Sequence, residues 1–318
     1  MRSPALGHAC VADRVIAIFG PTASGKSAVA EEIARRIPAE LVSADSMQAY
    51  RGLPILTNQS PARLVGIWEL EHEASVGEYQ ELAHAAIDEI LTAGRTPVVV
   101  GGTGLYFRAA LADLELPPAP EPGTRERLER LYDRLGGERA HELLAERDPG
   151  AAAAVHANDR RRVVRALELA EAGASLRPSE SRLWAGETRH PTLIVGLELP
   201  REELRRRIAK RTHEMFERGV EEEVRVALAG PISPTARHVH GLSEIAELPR
   251  EKALEALIAR TSRYAIYQLR WMRRIPGVVS LDALRPPGEL ADAILEMARS
   301  RERLPARGAG RARRSADA

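Results

Sequence analysis

The strongest chemical signal in this sequence is a glycine-rich loop that ends in a lysine and a serine. Residues 20–27 read GPTASGKS and match the pattern G-x-x-x-x-G-K-[ST] of phosphate-binding loops. In such a loop the backbone N–H groups surround a phosphate, and the N-terminus of the next helix adds about half a positive charge. Lys26 can reach the outer phosphate, and the Ser27 hydroxyl can bind Mg²⁺. The loop therefore predicts a diphosphate or triphosphate site, rather than a glycine turn with a surface lysine.

The elements that must hold this loop are recognisable on both sides of it. A short apolar run at 14–20 precedes the loop, and helical spacing follows it at 26–37. Further buried strands are predicted at 41–44 and 97–100, with a helix at 76–93 between them. Strands and helices that alternate at these lengths are typical of βαβ units. We therefore expect an α/β fold with a P-loop-type parallel sheet flanked by helices.

The rest of the chain predicts an insertion and a return to the sheet. Pro-rich residues 116–123 lead into a charged, alanine-rich helical stretch without strand-like runs. After it the pattern predicts a strand, three helices and a last short strand, at residues 192–198, 201–218, 219–228, 250–274 and 278–281. The predicted domains are a disordered lead (1–13), an α/β core (14–115 and 190–299), an all-helical insertion (116–189) and a disordered Arg-rich tail (300–318).

Composition limits the class of protein. The 318 residues are 44% hydrophobic and carry 46 Lys+Arg against 45 Asp+Glu, so the net charge neither requires nor excludes a nucleic-acid partner. The single cysteine, Cys10, excludes an intrachain disulfide and fits a reducing compartment. No apolar run has the length of a membrane span or of a signal peptide. We expect a cytoplasmic protein, not bound to membranes, and a monomer.

Four blocks of the sequence resemble tRNA dimethylallyltransferases, the enzymes that prenylate the adenine beside the anticodon. The blocks are GPTASGKS at 20–27, SADSMQAYR at 43–51, GGTGLY at 101–106 and HANDRRRVVRALE at 156–168. Their order and spacing are similar to the family's over roughly residues 14–282. The resemblance implies that the exocyclic amine of adenine attacks the first carbon of dimethylallyl diphosphate, which releases diphosphate.

This reaction needs a proton acceptor and cations for the leaving group. The resemblance implies that Asp45, at the end of the second predicted strand, is the general base; the alternatives are a ligand of Mg²⁺ or a turn residue. For the diphosphate we favour Arg211, with Arg207 one turn earlier, although both could simply be solvated on an Arg-rich helix. The expected donor-binding loop comprises Gly20, Pro21, Thr22, Ala23, Ser24, Gly25, Lys26 and Ser27.

The tRNA contacts are also implied by the resemblance. Thr103 would touch the flipped adenine or its ribose, and it could also cap a helix. Ser46, Met47 and Gln48 would lie beside the base. A basic patch in the insertion would contact phosphates and clamp the anticodon stem-loop; the alternative is an exposed helix face paired with Glu168 and Asp159. The arginines assigned to tRNA are Arg125, Arg161, Arg162 and Arg165.

Three segments depart from the family pattern. A histidine pair is missing from residues 66–72, which read GIWELEH, and the usual GTAKP segment is replaced by LTNQSP at 56–61. The usual KRQ triplet reads Ile266, Tyr267 and Gln268, so two cations are absent. We also expect no zinc-finger extension, because the cysteine and histidine spacing is missing.

Other functions remain compatible with the phosphate loop, because kinases and NTPases share it. An adenylate prenyltransferase would act on free nucleotide, although such an acceptor needs no helical clamp. A small-molecule kinase would turn over ATP. A nucleotide-gated regulator or RNA-binding module would need no proton acceptor beside the donor pocket.

Overall fold

The computed structural model describes residues 14–116, 121, 123–176, 183 and 186–301. The predicted lead at 1–13, part of the Pro-rich linker and residues 302–318 of the predicted tail lie outside the described residues. The tail was expected from residue 300, whereas Ser300 and Arg301 belong to the last helix, Pro287–Arg301. Within the described residues, no helix combines the length and apolar character needed to cross a membrane.

Five strands form one sheet in which every neighbouring pair is parallel. The strands are β1 (Val15–Phe19), β2 (Ala39–Ala44), β3 (Thr96–Gly101), β4 (Thr192–Glu198) and β5 (Val279–Asp282). Their order across the sheet is β2-β3-β1-β4-β5. Every residue of β1 and β3 is buried, as expected for parallel strands covered by helices on both faces. The expected parallel α/β fold is confirmed.

Twelve α-helices are present in the described residues. In chain order they are α1 (Lys26–Arg36), α2 (Val76–Thr92), α3 (Gly104–Leu111), α4 (Thr124–Leu135), α5 (Gly137–Arg147), α6 (Pro149–Ala152), α7 (Arg160–Glu171), α8 (Arg201–Glu217), α9 (Val220–Ala227), α10 (Leu242–Glu247), α11 (Arg250–Met272) and α12 (Pro287–Arg301). The helices α3, α10 and α12 were not predicted from the sequence.

The chain divides into two compact units. One unit consists of residues 1–74, 78–112 and 186–318 in so far as they are described, and it contains the whole sheet. The other unit consists of residues 75–77 and 113–185 and contains α4 to α7. The second unit has its own apolar core, in which Leu128 and Tyr132 of α4 and Leu144 of α5 join Val163 and Leu167 of α7.

The core of the first unit fixes the edge of the sheet where the loops emerge. Ile16 and Ile18 of β1 and Val195 of β4 are buried in one apolar cluster with Val29 and Ile33 of α1. Fully burying a side chain of this size contributes about 1.5–3 kcal/mol. The carboxyl ends of β1, β2 and β3 therefore stay together, and the loops that begin at residues 20, 45 and 102 meet at one edge.

β2 and β3 approach each other closely at Gly101, at this edge of the sheet. A Cβ atom on Gly101 would lie 2.2 Å from the carbonyl oxygen of Ala44. We therefore expect Gly101→Ala to lower the free energy of unfolding by at least about 2 kcal/mol, because the strand backbone must move. Gly230→Ala is the control, since no atom lies within 4 Å of its Cβ position. Urea denaturation of both variants measures the difference, and equal stabilities would contradict the close approach.

Candidate active site

The phosphate loop leaves β1 and turns sharply into α1. Ala23 and Gly25 have left-handed backbone conformations, with φ of 63° and 88°. The Ser24 N–H donates to the Pro21 carbonyl at 3.1 Å, which closes the turn. Successive residues that alternate between right- and left-handed conformations direct their N–H groups into one concavity, which binds anions. A left-handed alanine is uncommon and costs on the order of 1 kcal/mol, so the loop keeps this shape at some expense of stability.

Three charged side chains share the cleft beside this loop. Lys26, Arg211 and Asp45 all line it, together with Ser27. The Lys26 ammonium donates to the Pro21 carbonyl at 3.4 Å. Burial lowers the pKa of Lys26 to about 8; the Asp45 carboxylate opposes this effect and the Arg211 guanidinium adds to it. Burial also lowers the pKa of Arg211, again against the attraction of Asp45. The cleft therefore brings together two partly desolvated cations and one carboxylate.

A second cavity continues from the first and has a more apolar character. Met47, Leu56, Ile208, Met215 and Leu257 contribute its apolar wall. The two cavities share four lining residues, Thr22, Asp45, Thr57 and Arg211. The site thus has a polar half next to the phosphate loop and a second half, called the apolar half below, whose lining is part apolar and part polar. Asp45 and Arg211 stand where the two halves meet.

Asp45 follows β2 directly and is held by a local turn. The Met47 N–H donates to Asp45 Oδ1 at 3.0 Å, which is the pattern of an Asx turn. This contact fits the alternative of a turn residue, yet the carboxylate also lines both halves of the site. Asp45 therefore combines a fixed orientation with access to both halves.

Thr103 occupies the N-cap position of α3, but its hydroxyl does not cap the helix. Thr103 Oγ1 instead accepts from the Ser46 N–H at 3.3 Å and lies 3.4 Å from Ser46 Oγ. The Tyr264 hydroxyl lies 3.4 Å from Thr103 Oγ1 on another side. Hydroxyls from three distant segments therefore form a cluster one residue away from Asp45.

Gln268 lines the site, although the sequence named it only as part of the altered triplet. Its side chain is 1% exposed, accepts from the Thr22 N–H at 2.8 Å and donates to the Gly102 carbonyl at 3.0 Å. Gln268 thus links the phosphate loop to the loop that carries Thr103. In the triplet that departs from the family, Tyr267 is 50% exposed, whereas Gln268 faces the site.

His240 and Tyr264 are two further site residues without a sequence signal. Their rings meet edge to face with centroids 4.5 Å apart, and both line the apolar half. Burial lowers the pKa of His240 to about 4, so the imidazole is neutral near pH 7. Burial also raises the pKa of the Tyr264 hydroxyl, which stays protonated. Both side chains therefore add polar atoms to this half without adding charge.

Two predicted site residues, Gln48 and Arg207, use their polar groups in hydrogen bonds or ion pairs within the protein. Gln48 Oε1 accepts from Ser43 Oγ at 2.9 Å, and its Nε2 donates to the carbonyls of Thr57 at 3.3 Å and Asn58 at 2.9 Å. The amide of Gln48 therefore holds the cavity wall in this structure. Arg207 pairs with Glu203 at 2.6 Å and does not line either half, although Arg211 one turn later lines both.

The four arginines of the helical insertion differ in environment. Arg161 and Arg162 are exposed on α7, and Arg162 Nε lies 3.6 Å from Asp159. Arg125 and Arg165 both pair with the buried carboxylate of Glu168, at 2.8 and 2.9 Å. Arg161 and Arg162 are therefore exposed, whereas the ion pairs of the alternative, with Glu168 and Asp159, involve Arg125, Arg165 and Arg162.

Comparison with known proteins finds similar sequences and structures over most of the chain. The family described as IPP transferase matches residues 48–275, and isopentenyl transferase matches residues 13–62. A tRNA dimethylallyltransferase of Streptomyces griseus is 38% identical and is covered over 96% of its length, with 90% of this chain. One of Thermobifida fusca is 40% identical, with 83% of this chain and 88% of the relative covered. The structure of a tRNA isopentenylpyrophosphate transferase of Bacillus halodurans matches with a TM-score of 0.65 at 30% identity, covering 91% of this chain and 98% of that one.

The lowered pKa of Lys26 predicts how anion binding depends on pH. Lys26 is protonated below about pH 8 and neutral above it. Binding of inorganic pyrophosphate needs the charged form, so it should weaken above pH 8 by up to about tenfold per pH unit. Calorimetric titration between pH 6.5 and 9.5 measures the profile. Lys26→Met should bind more weakly and lack this inflection; an inflection that persists in the variant would assign it to another group.

Proposed function

The chain belongs to the IPP transferase family and is a transferase, and on this premise we propose that it prenylates an adenine in tRNA. It transfers a dimethylallyl group from dimethylallyl diphosphate to the exocyclic amine of the adenine beside the anticodon and releases diphosphate. The observation that carries this proposal is the junction of a polar and an apolar half at Asp45 and Arg211. A donor with an anionic head and a hydrocarbon tail fits such a site, with its reactive carbon at the junction.

The two halves divide the work of binding the donor. The amides of the phosphate loop, with Lys26 and Arg211, bind the diphosphate, and partial burial strengthens these charge interactions. The apolar wall formed by Leu56, Met215 and Leu257 takes the tail. The cations act most strongly on the transition state, because negative charge accumulates on the diphosphate as the carbon–oxygen bond breaks.

Asp45 accepts the proton that the amine must lose. The nitrogen lone pair forms the new bond to the first carbon of the donor while the electrons of the carbon–oxygen bond leave with the diphosphate. The nitrogen becomes positively charged, and its proton passes to the Asp45 carboxylate. The Asx turn with Met47 keeps this carboxylate oriented at the junction, which supports the assignment.

The residues of the polar half also fit Mg²⁺. The hydroxyl of Ser27 and the carboxylate of Asp45 are hard oxygen donors that line the same cleft. In the described part of the chain no group of three or more His, Cys, Asp or Glu side chains could hold a metal by itself. Ser27 would therefore hold Mg²⁺ together with phosphate oxygens of the donor, and the ion would neutralise charge on the leaving diphosphate.

Recognition of tRNA uses two sets of side chains. The hydroxyl cluster of Ser46, Thr103 and Tyr264 lies next to Asp45 and offers hydrogen bonds to the flipped base or its ribose. In the insertion the exposed Arg161 and Arg162 suit phosphate contacts. Arg125 and Arg165 serve the same purpose, with Glu168 fixing their orientation. A monomeric state and a cytoplasmic location stay predictions.

The acceptor distinguishes this proposal from its alternatives. The chain should be incubated with labelled dimethylallyl diphosphate and, in parallel, with bulk tRNA, free AMP or ATP alone. We expect label on tRNA and none on AMP, because a free nucleotide has no chain of backbone phosphates to contact the exposed arginines of the insertion. Label on AMP would indicate an adenylate prenyltransferase. Turnover of ATP without prenyl transfer would indicate a kinase.

Asp45→Asn tests the proton acceptor. The amide keeps the shape of the side chain and can still accept from Met47, but it cannot take up the proton. We expect turnover to fall by about two to four orders of magnitude, while binding of tRNA stays within about twofold of the original. Single-turnover kinetics and a binding titration measure the two effects. Retained turnover would contradict the assignment of Asp45 as the base.

A further inference from the structure

A single turn of chain forms part of the wall of both halves of the site. In residues 53–58, the Thr57 N–H and its hydroxyl both donate to the Leu53 carbonyl, at 3.1 and 2.7 Å. Leu56 and Thr57 line the apolar half, and Thr57 and Asn58 line the polar half. This turn lies where the sequence departs from the family pattern, at LTNQSP. Its position therefore decides the shape of the cavity.

Two N–H groups of this turn donate to a carboxylate that is distant in sequence. Glu223 of α9 accepts from the Ile55 N–H through Oε2 and from the Leu56 N–H through Oε1, both at 2.7 Å. The first amides of a helical turn have no partner inside the turn. Pro54 has no N–H, so the N–H groups of Ile55 and Leu56 are the ones that need a partner outside the turn. Glu223 accepts from both. Glu223 thus acts as an N-cap supplied by another helix.

The charge of Glu223 suits this task. The residue lies in the first turn of α9, where the helix dipole stabilises a negative side chain. No cation pairs with it among the ion pairs of the described residues, so its strongest partners are the two amides. Hydrogen bonds to an ionised acceptor are roughly twice as strong as neutral ones. The bidentate contact therefore fixes both the position and the rotation of the turn.

One of the two amides bound by Glu223 belongs to Leu56, whose side chain lines the apolar half. Leu56 is 5% exposed, and its Cδ1 lies only 2.6 Å from where a Cβ of Gly241 would be. Leu257, another residue of the apolar wall, packs against the same glycine. Gln48 holds the other end of the turn through the Thr57 and Asn58 carbonyls. Glu223 therefore fixes mainly the position of Leu56. Gln48 fixes mainly the end of the turn that lines the polar half.

We infer that Glu223 is a positioning residue for the prenyl tail of the donor. It caps the turn at residues 53–58 and so holds Leu56 against Leu257 as the wall of the apolar half. This inference rests on the proposed function, because it takes the tail to be the occupant of that half. Loss of the cap should weaken binding of a diphosphate that carries a tail and leave binding of bare diphosphate nearly unchanged.

Glu223→Gln tests the inference, with Glu222→Gln as the matched control. The glutamine has the same shape, but one of its two amide contacts becomes a donor facing a donor. Glu222 is its neighbour on α9 and pairs with Arg225 instead. Calorimetry without tRNA gives dissociation constants of the full chain for dimethylallyl diphosphate and for inorganic pyrophosphate. In Glu223→Gln we expect about tenfold weaker binding of dimethylallyl diphosphate, a change of less than about twofold for pyrophosphate, and no change in the control.

Each outcome separates this inference from the proposed function. If the original chain does not bind dimethylallyl diphosphate, both fall together. If the original chain binds the prenyl donor and Glu223→Gln loses both ligands equally, or neither, only the role of Glu223 is refuted. Should Glu223→Gln not fold, Glu223→Asp replaces it, since the charge remains but the side chain is one methylene too short. The same selective loss is expected there, and equal binding would again refute the role.

Discussion

Two partly buried cations and one carboxylate that share a cleft are the constraint on which the site depends. Lys26 and Arg211 each lose hydration, and Asp45 partly compensates both. The three charges leave an excess of one positive charge facing the phosphate loop. An anionic ligand completes the balance, because it pairs with cations that are already desolvated and fixed.

Long polar side chains keep these charges in place by reaching backbone groups far away in sequence. Gln268 joins the phosphate loop to the loop after β3, Gln48 binds the wall of the cavity, and Glu223 caps the same wall from α9. A parallel sheet brings its loops to one edge but does not fix their shapes. Each of these side chains satisfies backbone groups that would otherwise be buried without partners. The accuracy of the site therefore comes from α9 and α11 as much as from the sheet.

The sequence was sufficient for the sheet and the phosphate loop, since both follow from local patterns: a buried strand, a glycine-rich turn and a helix. It missed α10 because six residues are too few to show a helical period. It missed α3 because nearly all of its residues are buried, so no polar face alternates with an apolar one. It missed α12 although Leu290, Ile294 and Ala298 repeat every four residues, so that signal was present. Gln268, His240 and Tyr264 could not be found, because their roles arise only when α11 meets the loops. Arg207 shares a helix with Arg211, yet pairing with Glu203 keeps it out of the cleft.

The departures from the family pattern change the surroundings of the site more than its charges. Of the altered triplet, only Gln268 enters the cleft, whereas Tyr267 is half exposed and stacks 6.3 Å from Tyr264. The cation absent at Tyr267 is therefore missing from the surface, and Lys26 and Arg211 remain as cations that line the cleft. The replaced segment at 56–61 supplies a wall, because the side chains of Gln48 and Glu223 bind backbone groups of Leu56, Thr57 and Asn58. Contacts of this kind do not depend on which side chains the segment carries, so they are compatible with a change of its sequence.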